Sequence, residues 1–239
     1  MFSKPRLVAD AGSGLARAAL RPSEYTAALI QVLRCRADLV KGANVLEIGS
    51  GSGVVLAALG ELGASSLCGI DIEEDAVSCG ILLLDGLGHG ELAEFHQGDM
   101  WQPVGERRFD LVVANLPHYP MTDAEVPGRL TTWSAGGPDG RRLLDRFLQG
   151  LIHHLAPAGR AFITHNAFVG VERSRSLTAA AGLTFQIVYT ALVNVPSDKL
   201  AHMTRSVLAA AQGHSIHCYG PYAFAEVHIV EMARQGTSI

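Results

Sequence analysis

The sequence is poor in charge, poor in cysteine and without any long uninterrupted apolar run. Charged residues make up 18% of the 239 residues, below the roughly 25% of an average soluble protein. The 19 Lys+Arg are set against 23 Asp+Glu, a net charge of −4, with no long block of one sign. Strong attraction to nucleic acid or to an anionic membrane is therefore not expected. Cys35, Cys68, Cys79 and Cys218 form no C-x-x-C pair and have no metal-ligand spacing. That argues against a disulfide framework or a metal site and for reduced, mostly buried thiols. The uncharged run 177–197 is interrupted by Gly182, Gln186, Asn194 and Pro196, whereas a membrane helix needs ~20 predominantly apolar residues. The first dozen residues lack the apolar core of a signal peptide, and a cytoplasmic protein is expected. What is present is a 48% apolar share, enough to fill a core and to exclude disorder as the main state.

Apolar patterning alternates between the two regular structures for most of the chain. Short buried-strand runs are expected at 44–48, 66–72, 94–96, 109–114 and 161–164, a long β-branched strand at 184–195 and a final one at 223–232. Helical spacing falls at 23–40, with Ser23 as the N-cap, and at 54–61, 73–84, 141–155, 171–181 and 197–212. Such alternation predicts an α/β fold, a doubly wound and mostly parallel seven-stranded sheet with an antiparallel strand at one edge. Between Asn115 and Pro138 there is no periodicity, and a loop of that length in a compact domain is a site candidate. His153 and His154 read as residues of an exposed helix face.

The most informative stretch is Glu47-Ile48-Gly49-Ser50-Gly51-Ser52-Gly53, which joins a buried strand directly to a helix. Its glycines are spaced G-x-G-x-G, so the third glycine of the dinucleotide fingerprint is missing. Glu47 would repel a pyrophosphate but can face an ammonium. Asp71 follows Gly49 by 22 residues, the spacing of an acid that accepts hydrogen bonds from a ribose diol. Together they suggest an adenosine ligand that carries positive charge and no phosphate, which describes S-adenosylmethionine. Two readings of another class remain: a nicotinamide-dependent oxidoreductase, and a non-catalytic S-adenosylmethionine-binding module.

The stretch 45–164 resembles the class I S-adenosylmethionine-dependent methyltransferases. The resemblance implies that Gly49, Ser50, Gly51 and Gly53 line the methionine portion, that Glu47 acts on its amino group and that Asp71 holds the ribose hydroxyls. It also implies that Ile72 packs on the adenine and that Asp99, in Gly98-Asp99-Met100, meets the adenine amino group with Met100 beside it. Asn115-Leu116-Pro117-His118 resembles the motif of amino methyltransferases. By that resemblance the Asn115 oxygen accepts an N–H of the acceptor nitrogen, Pro117 fixes a nearby carbonyl, and His118 offers a flat ring for stacking. Asn115 would also border the cofactor.

Within that class the sequence is similar to the HemK-type protein glutamine N5-methyltransferases. Arg21-Pro22-Ser23-Glu24-Tyr25-Thr26 resembles their R-P-x-T-E segment, and Gly136-Gly137-Pro138-Asp139-Gly140 their G-G-x-D-G turn. The N-L-P-H sequence replaces that family's N-P-P-Y, and the first strand begins too early for its N-terminal helical domain, which disfavours a release-factor substrate. N-L-P also occurs in rRNA adenine N6-dimethyltransferases, but the charge and length of this chain disfavour RNA. The expectation is one domain over 1–239, with an N-terminal helical extension 1–42, a cofactor-binding core 43–195 and a helical insertion 196–222. The expected partners are S-adenosylmethionine and a protein or small-molecule methyl acceptor.

Overall fold

Strands that are apolar at every position need helices on both faces of their sheet, and that is how this chain is built. The computed structural model describes residues 22–121 and 134–236, so Arg21 and most of the loop after the Asn-Leu-Pro-His segment lie outside the described residues. Five strands run parallel: β1 (Asn44–Ile48), β2 (Ser66–Asp71), β3 (Ala93–Gln97), β4 (Phe109–Ala114) and β5 (Leu155–Asn166). β4 shows why its run is continuous. Leu111 and Val113 join one buried cluster, while Val112 and Ala114 join the other.

Helix α1 (Glu24–Cys35) is followed by the single turn α2 (Ala37–Val40), and α3 (Val54–Glu61) and α4 (Glu74–Gly86) follow β1 and β2. On one face of the sheet, α1 buries Leu29 and Leu33, α3 buries Leu56 and Leu59, and α4 buries Leu84 against Val45, Leu67 and Phe162. On the other, α5 (Arg142–His154) buries Leu144, Phe147, Leu148 and Leu151 against Leu46, Ile70 and Ile163. Each such side chain contributes about 1.5–3 kcal/mol of transfer free energy. The helix α6 (Val171–Ala180) packs beside α5.

The remaining strands are β6 (Gln186–Val195), β7 (Ile216–Tyr219) and β8 (Tyr222–Ala233), and the sheet order is β3-β2-β1-β4-β5-β8-β6 with β7 also paired to β8. β8 runs antiparallel to β5, β6 and β7, so the antiparallel strand lies one position inside the edge and a short eighth strand joins the seven expected. The helix expected over 197–212 is two, α7 (Ser197–His202) and α8 (Arg205–Ala211). The break follows from Met203, which is extended, and Thr204, which is not helical and whose N–H donates to the Pro120 carbonyl at 2.6 Å instead of continuing a helix. The expectation of mostly buried thiols is corrected. Cys68 is buried, but Cys35 and Cys218 are exposed because they lie at a helix end and on the short strand β7. Among the described residues no helix is long and apolar enough to cross a membrane.

The strand order reverses at β1, whose neighbours β2 and β4 lead to opposite halves of the sheet. In open α/β sheets that point opens a crevice beyond the carboxyl ends of the strands. The turns after Ile48, Asp71 and Ala114 all lie there.

Candidate active site

Beyond the carboxyl ends of β1, β2 and β4 the structure forms a cavity of about 430 Å³. Its floor is the glycine turn. The Gly49 and Ser50 N–H groups donate to the Ile70 carbonyl at 2.8 and 3.0 Å. Gly51 has a φ of +52°, a left-handed conformation that suits glycine, and from it donates its N–H to Asp71 Oδ2 at 2.8 Å. The other Asp71 oxygen accepts the Glu73 N–H at 3.0 Å. One carboxylate thus ties the end of β2 to the turn after β1. Burial raises the Asp71 pKa from its ordinary value, an effect opposed by these N–H donors.

Glu47 is 2% exposed, and its Oε2 has no hydrogen-bond partner among the described residues. Burial first, and the nearby Asp71 charge second, hold its pKa well above the usual carboxylate range. A buried carboxyl in that state is costly unless a donor or a cation meets it. The Ser50 hydroxyl, also buried at the cavity wall, likewise has no partner among the described residues. Ile72, by contrast, lines the cavity while 54% exposed, an apolar surface that a flat ligand would cover. A buried acid that accepts the Leu56 N–H but leaves Oε2 without a partner among the described residues, a second acid at the end of β2 and an uncovered apolar wall together fit the ammonium, ribose and adenine of S-adenosylmethionine.

Of the residues singled out from the sequence, Glu47, Gly49, Ser50, Gly51, Asp71, Ile72, Asp99, Met100, Asn115 and Pro117 all line this cavity. Asp99 does so while engaged by Arg146, whose two terminal nitrogens donate to its oxygens at 3.1 and 2.8 Å. Met100 has the left-handed φ of +56°. Asn115, the first residue after β4, accepts a bond from the Thr164 hydroxyl at 2.7 Å.

Two of the expected site residues lie outside the cavity lining. Gly53 is not in the cavity wall. A Cβ there would stand 2.9 Å from Gly80 Cα and 3.2 Å from Leu84 Cδ2, so this glycine lets α3 approach α4. His118 is not in the wall either. It is 3% exposed, and its ring centroid lies 5.7 Å from that of Tyr25. Burial, helped by the charges of His165 and Lys199, lowers its pKa to about 3. The ring turns inward because the Gly136–Gly140 turn closes on its backbone. A Cβ on Gly136 would stand 2.8 Å from His118 Cα, and one on Gly140 2.6 Å from the His118 oxygen. The Tyr119 N–H donates to the Ser134 carbonyl at 3.0 Å, and the Gly136 N–H to the Tyr119 carbonyl at 2.8 Å. The two sequence motifs on either side of the long loop therefore form one braced unit.

His154 differs from its expected surface position as well. Its ring stacks on Trp101 with centroids 4.5 Å apart and planes 5° from parallel. A separate grouping of Cys68, Glu94 and His96 brings three ligand-type atoms within 4.8 Å of one another. Arg107 pairs with Glu94 there. Pro22, Ser23 and Thr26, noted in the sequence only as part of the R-P-x-T-E-like segment, line the N-terminal side of the cavity, and Arg142, Leu143 and Arg146 from α5 join them without having been expected there. The arginines beside the G-G-x-D-G turn were the available signal for Arg142 and Arg146; Leu143 carried none.

Comparison with known proteins agrees with this geometry. Residues 45–133 match the family model described as a methyltransferase domain. A Methanocaldococcus jannaschii protein named as an N5-glutamine methyltransferase is 29% identical over 162 residues, which cover 67% of this chain and 80% of that protein. Mouse methyltransferase HEMK2 is 30% identical over 174 residues, 66% of this chain and 76% of that protein. Among solved structures, the T. thermophilus 16S rRNA N2 G1207 methyltransferase, in complex with AdoMet and guanosine, superimposes with a TM-score of 0.54 at 18% identity, covering 90% of this chain and 44% of that one. The cavity, the glycine turn, the strand order and these relatives lead to one conclusion: the chain belongs to the HemK-type class I S-adenosylmethionine-dependent methyltransferases, enzymes for which S-adenosylmethionine is the cofactor.

Proposed function

We propose that this enzyme methylates the side-chain amide nitrogen of a glutamine in an acceptor protein. The observation that carries the reading is the position of Asn115 and Pro117 at the wall of the same cavity that Glu47, Asp71 and the glycine turn line. The names of the archaeal relative and of several bacterial relatives, which specify glutamine or release-factor glutamine methylation, support the choice of acceptor. The match covers only 38% of the Rhodospirillum rubrum release factor enzyme, so the reading takes from it the class of acceptor and not a particular partner.

S-adenosylmethionine supplies a methyl group on a positively charged sulfur. Glu47 is the counter-charge for its ammonium. Asp71, held by backbone N–H groups that include those of Gly51 and Glu73, stands at the end of β2 to receive the ribose hydroxyls. Ile72 and Met100 flank the adenine, and Asp99 receives its amino group while Arg146 holds the carboxylate in place. The Gly49, Ser50 and Gly51 backbone lets the methionine portion approach closely.

An amide nitrogen is a weak nucleophile because its lone pair is delocalised into the carbonyl. Asn115 Oδ1 accepts one acceptor N–H, and a backbone carbonyl restrained by Pro117 accepts the other. Two acceptors placed off the amide plane favour a pyramidal nitrogen whose lone pair points at the methyl. Alignment and electrostatic preorganisation then supply most of the rate. As the N–C bond forms, the S–C bond breaks to leave S-adenosylhomocysteine, and the cationic N-methyl amide then loses one N–H proton to water. The test is methyl transfer from radiolabelled S-adenosylmethionine to ribosomal and translation-factor fractions, followed by acid-free digestion and identification of the labelled residue. N5-methylglutamine is the expected product. Label found only on nucleic acid, or on an oxygen or carbon atom of protein, would sink the reading.

A further inference from the structure

A side-chain amide is a precise hydrogen-bond acceptor only if its plane is fixed, since its last torsion is broad and roughly two-fold. In this structure the two ends of the Asn115 amide are held from different parts of the chain. Thr164, 2% exposed near the end of β5, donates its hydroxyl to Oδ1 at 2.7 Å. Asn115 Nδ2 in turn donates to Thr26 Oγ1 at 3.3 Å. Thr26 belongs to the first turn of α1 and lines the cavity. Its hydroxyl oxygen also accepts the Ser23 N–H at 3.3 Å, which anchors that oxygen to the start of the helix.

The neighbouring residue grips the far end of the same loop. The Tyr25 hydroxyl lies 2.7 Å from that of Tyr119 and donates to Asn166 Oδ1 at 3.0 Å, while its ring packs on His118. Consecutive residues of α1 thus bond to both ends of 115–119, although this helix lies before the first strand of the sheet. The packing of α1 against α3 and β6 alone would need neither hydroxyl.

We propose that the first turn of α1 is a positioning element for methyl transfer: Thr26 and Thr164 together fix the Asn115 carboxamide, and Tyr25 holds the loop that carries it. The inference rests on the reading of Asn115 as the group that accepts the acceptor N–H. Thr164 takes one lone pair of Oδ1 and leaves the other for that purpose. Thr26, by holding Nδ2, resists the half-turn that would exchange oxygen for nitrogen at the acceptor.

The experiment compares Thr26→Val and Thr164→Val with Thr26→Ser and Thr164→Ser in the full chain, with Asn115→Ala and Asn115→Asp as controls. The first readout is the Asn115 side-chain NH2 signal in protein labelled with ¹⁵N-asparagine, assigned by its loss in Asn115→Asp. It should exchange slowly with solvent in the wild type and in the serine variants, and faster in each valine variant. The second is single-turnover methyl transfer to the acceptor protein found by the radiolabel screen. Each valine variant should lower the rate constant by about tenfold, with affinity for S-adenosylhomocysteine near that of the wild type, and serine should restore the rate. Should a valine variant not fold, the signal in the serine variants against Tyr25→Phe still reports whether α1 governs the amide. Slow exchange and wild-type rates in the valine variants, with Asn115→Ala inactive, would overturn the clamp and leave the functional reading standing. Wild-type rates in Asn115→Ala would overturn the functional reading itself.

Discussion

The Gly51 N–H donates to Asp71 Oδ2 at 2.8 Å, so the acid at the end of β2 shapes the glycine turn at the end of β1. Replacing Asp71 by Ala removes the tie that holds the turn and, on the proposed reading, the acceptor for the ribose. Affinity for S-adenosylhomocysteine, measured by titration calorimetry, should fall by an amount worth about 1.5–3 kcal/mol for each charge-assisted bond lost. Asp71→Asn keeps one acceptor oxygen and should fall less. Unchanged affinity in the alanine variant would remove Asp71 from the cofactor site.

Glu47 supplies a second test through its protonation. Burial and the Asp71 charge raise its pKa in the free enzyme, and an ammonium placed beside it favours the ionised form. Binding of S-adenosylhomocysteine should therefore release a proton at pH values below the raised pKa. Calorimetry in buffers of different ionisation enthalpy reads this directly, and Glu47→Gln should abolish it. Equal heats across the buffers in the wild type would show that Glu47 does not meet the ammonium.

For Asn115→Ala the expected loss is in the chemical step. Removing one preorganised polar contact at the reacting atom should lower kcat by about 10²–10³. Affinity for S-adenosylhomocysteine should change little, because the proposed reading gives most contacts to the other acids and the glycine turn. A matched fall in affinity with no fall in kcat would make Asn115 a cofactor ligand only.

Acid stability should be set in part by two buried imidazoles. Burial lowers the pKa of His118 to about 3 and that of His165 to about 3, below the ~6.5 of an unfolded chain. Between those values the unfolded state binds more protons than the native one, so stability is full above pH ~6.5 and is lost as pH falls toward 3. His118→Phe keeps a buried ring and removes one titration. Its Tm should fall less steeply from pH 7 to pH 4 than that of the wild type. Equal slopes would show that His118 ionises freely in the fold.

Gly53→Ala addresses packing alone. Its Cβ would press on Gly80 Cα at 2.9 Å, at a residue whose φ is +76°, and should cost about 1–3 kcal/mol of stability. The folded variant should bind S-adenosylhomocysteine as the wild type does. An unchanged Tm with binding lost would return Gly53 to the cofactor site.

The sequence by itself determined the alternation of strands and helices, because strands buried on both faces read as unbroken apolar runs and the covering helices as runs of period 3.6. It also determined which short-range chemistry sits at the strand ends. Glu47, the glycine turn, Asp71 and Asn115 each lie within a few residues of a strand terminus, and a parallel sheet carries every such terminus to one side. Only the tertiary structure decided what depends on contacts between distant segments. His118 and Gly53 stand in the right motifs, yet the Gly136–Gly140 turn folds one inward and α4 claims the other. Thr26, Arg142 and Arg146 enter the cavity from helices whose apolar periodicity does not say that their polar faces meet there. The break at Met203 and Thr204 arises because the Pro120 carbonyl, more than eighty residues away in sequence, takes the N–H that a continuous helix would have used. Side-chain direction at such positions is set by which neighbour occupies the remaining space and which partner satisfies each buried polar group. Both are properties of the packed chain and not of any local window.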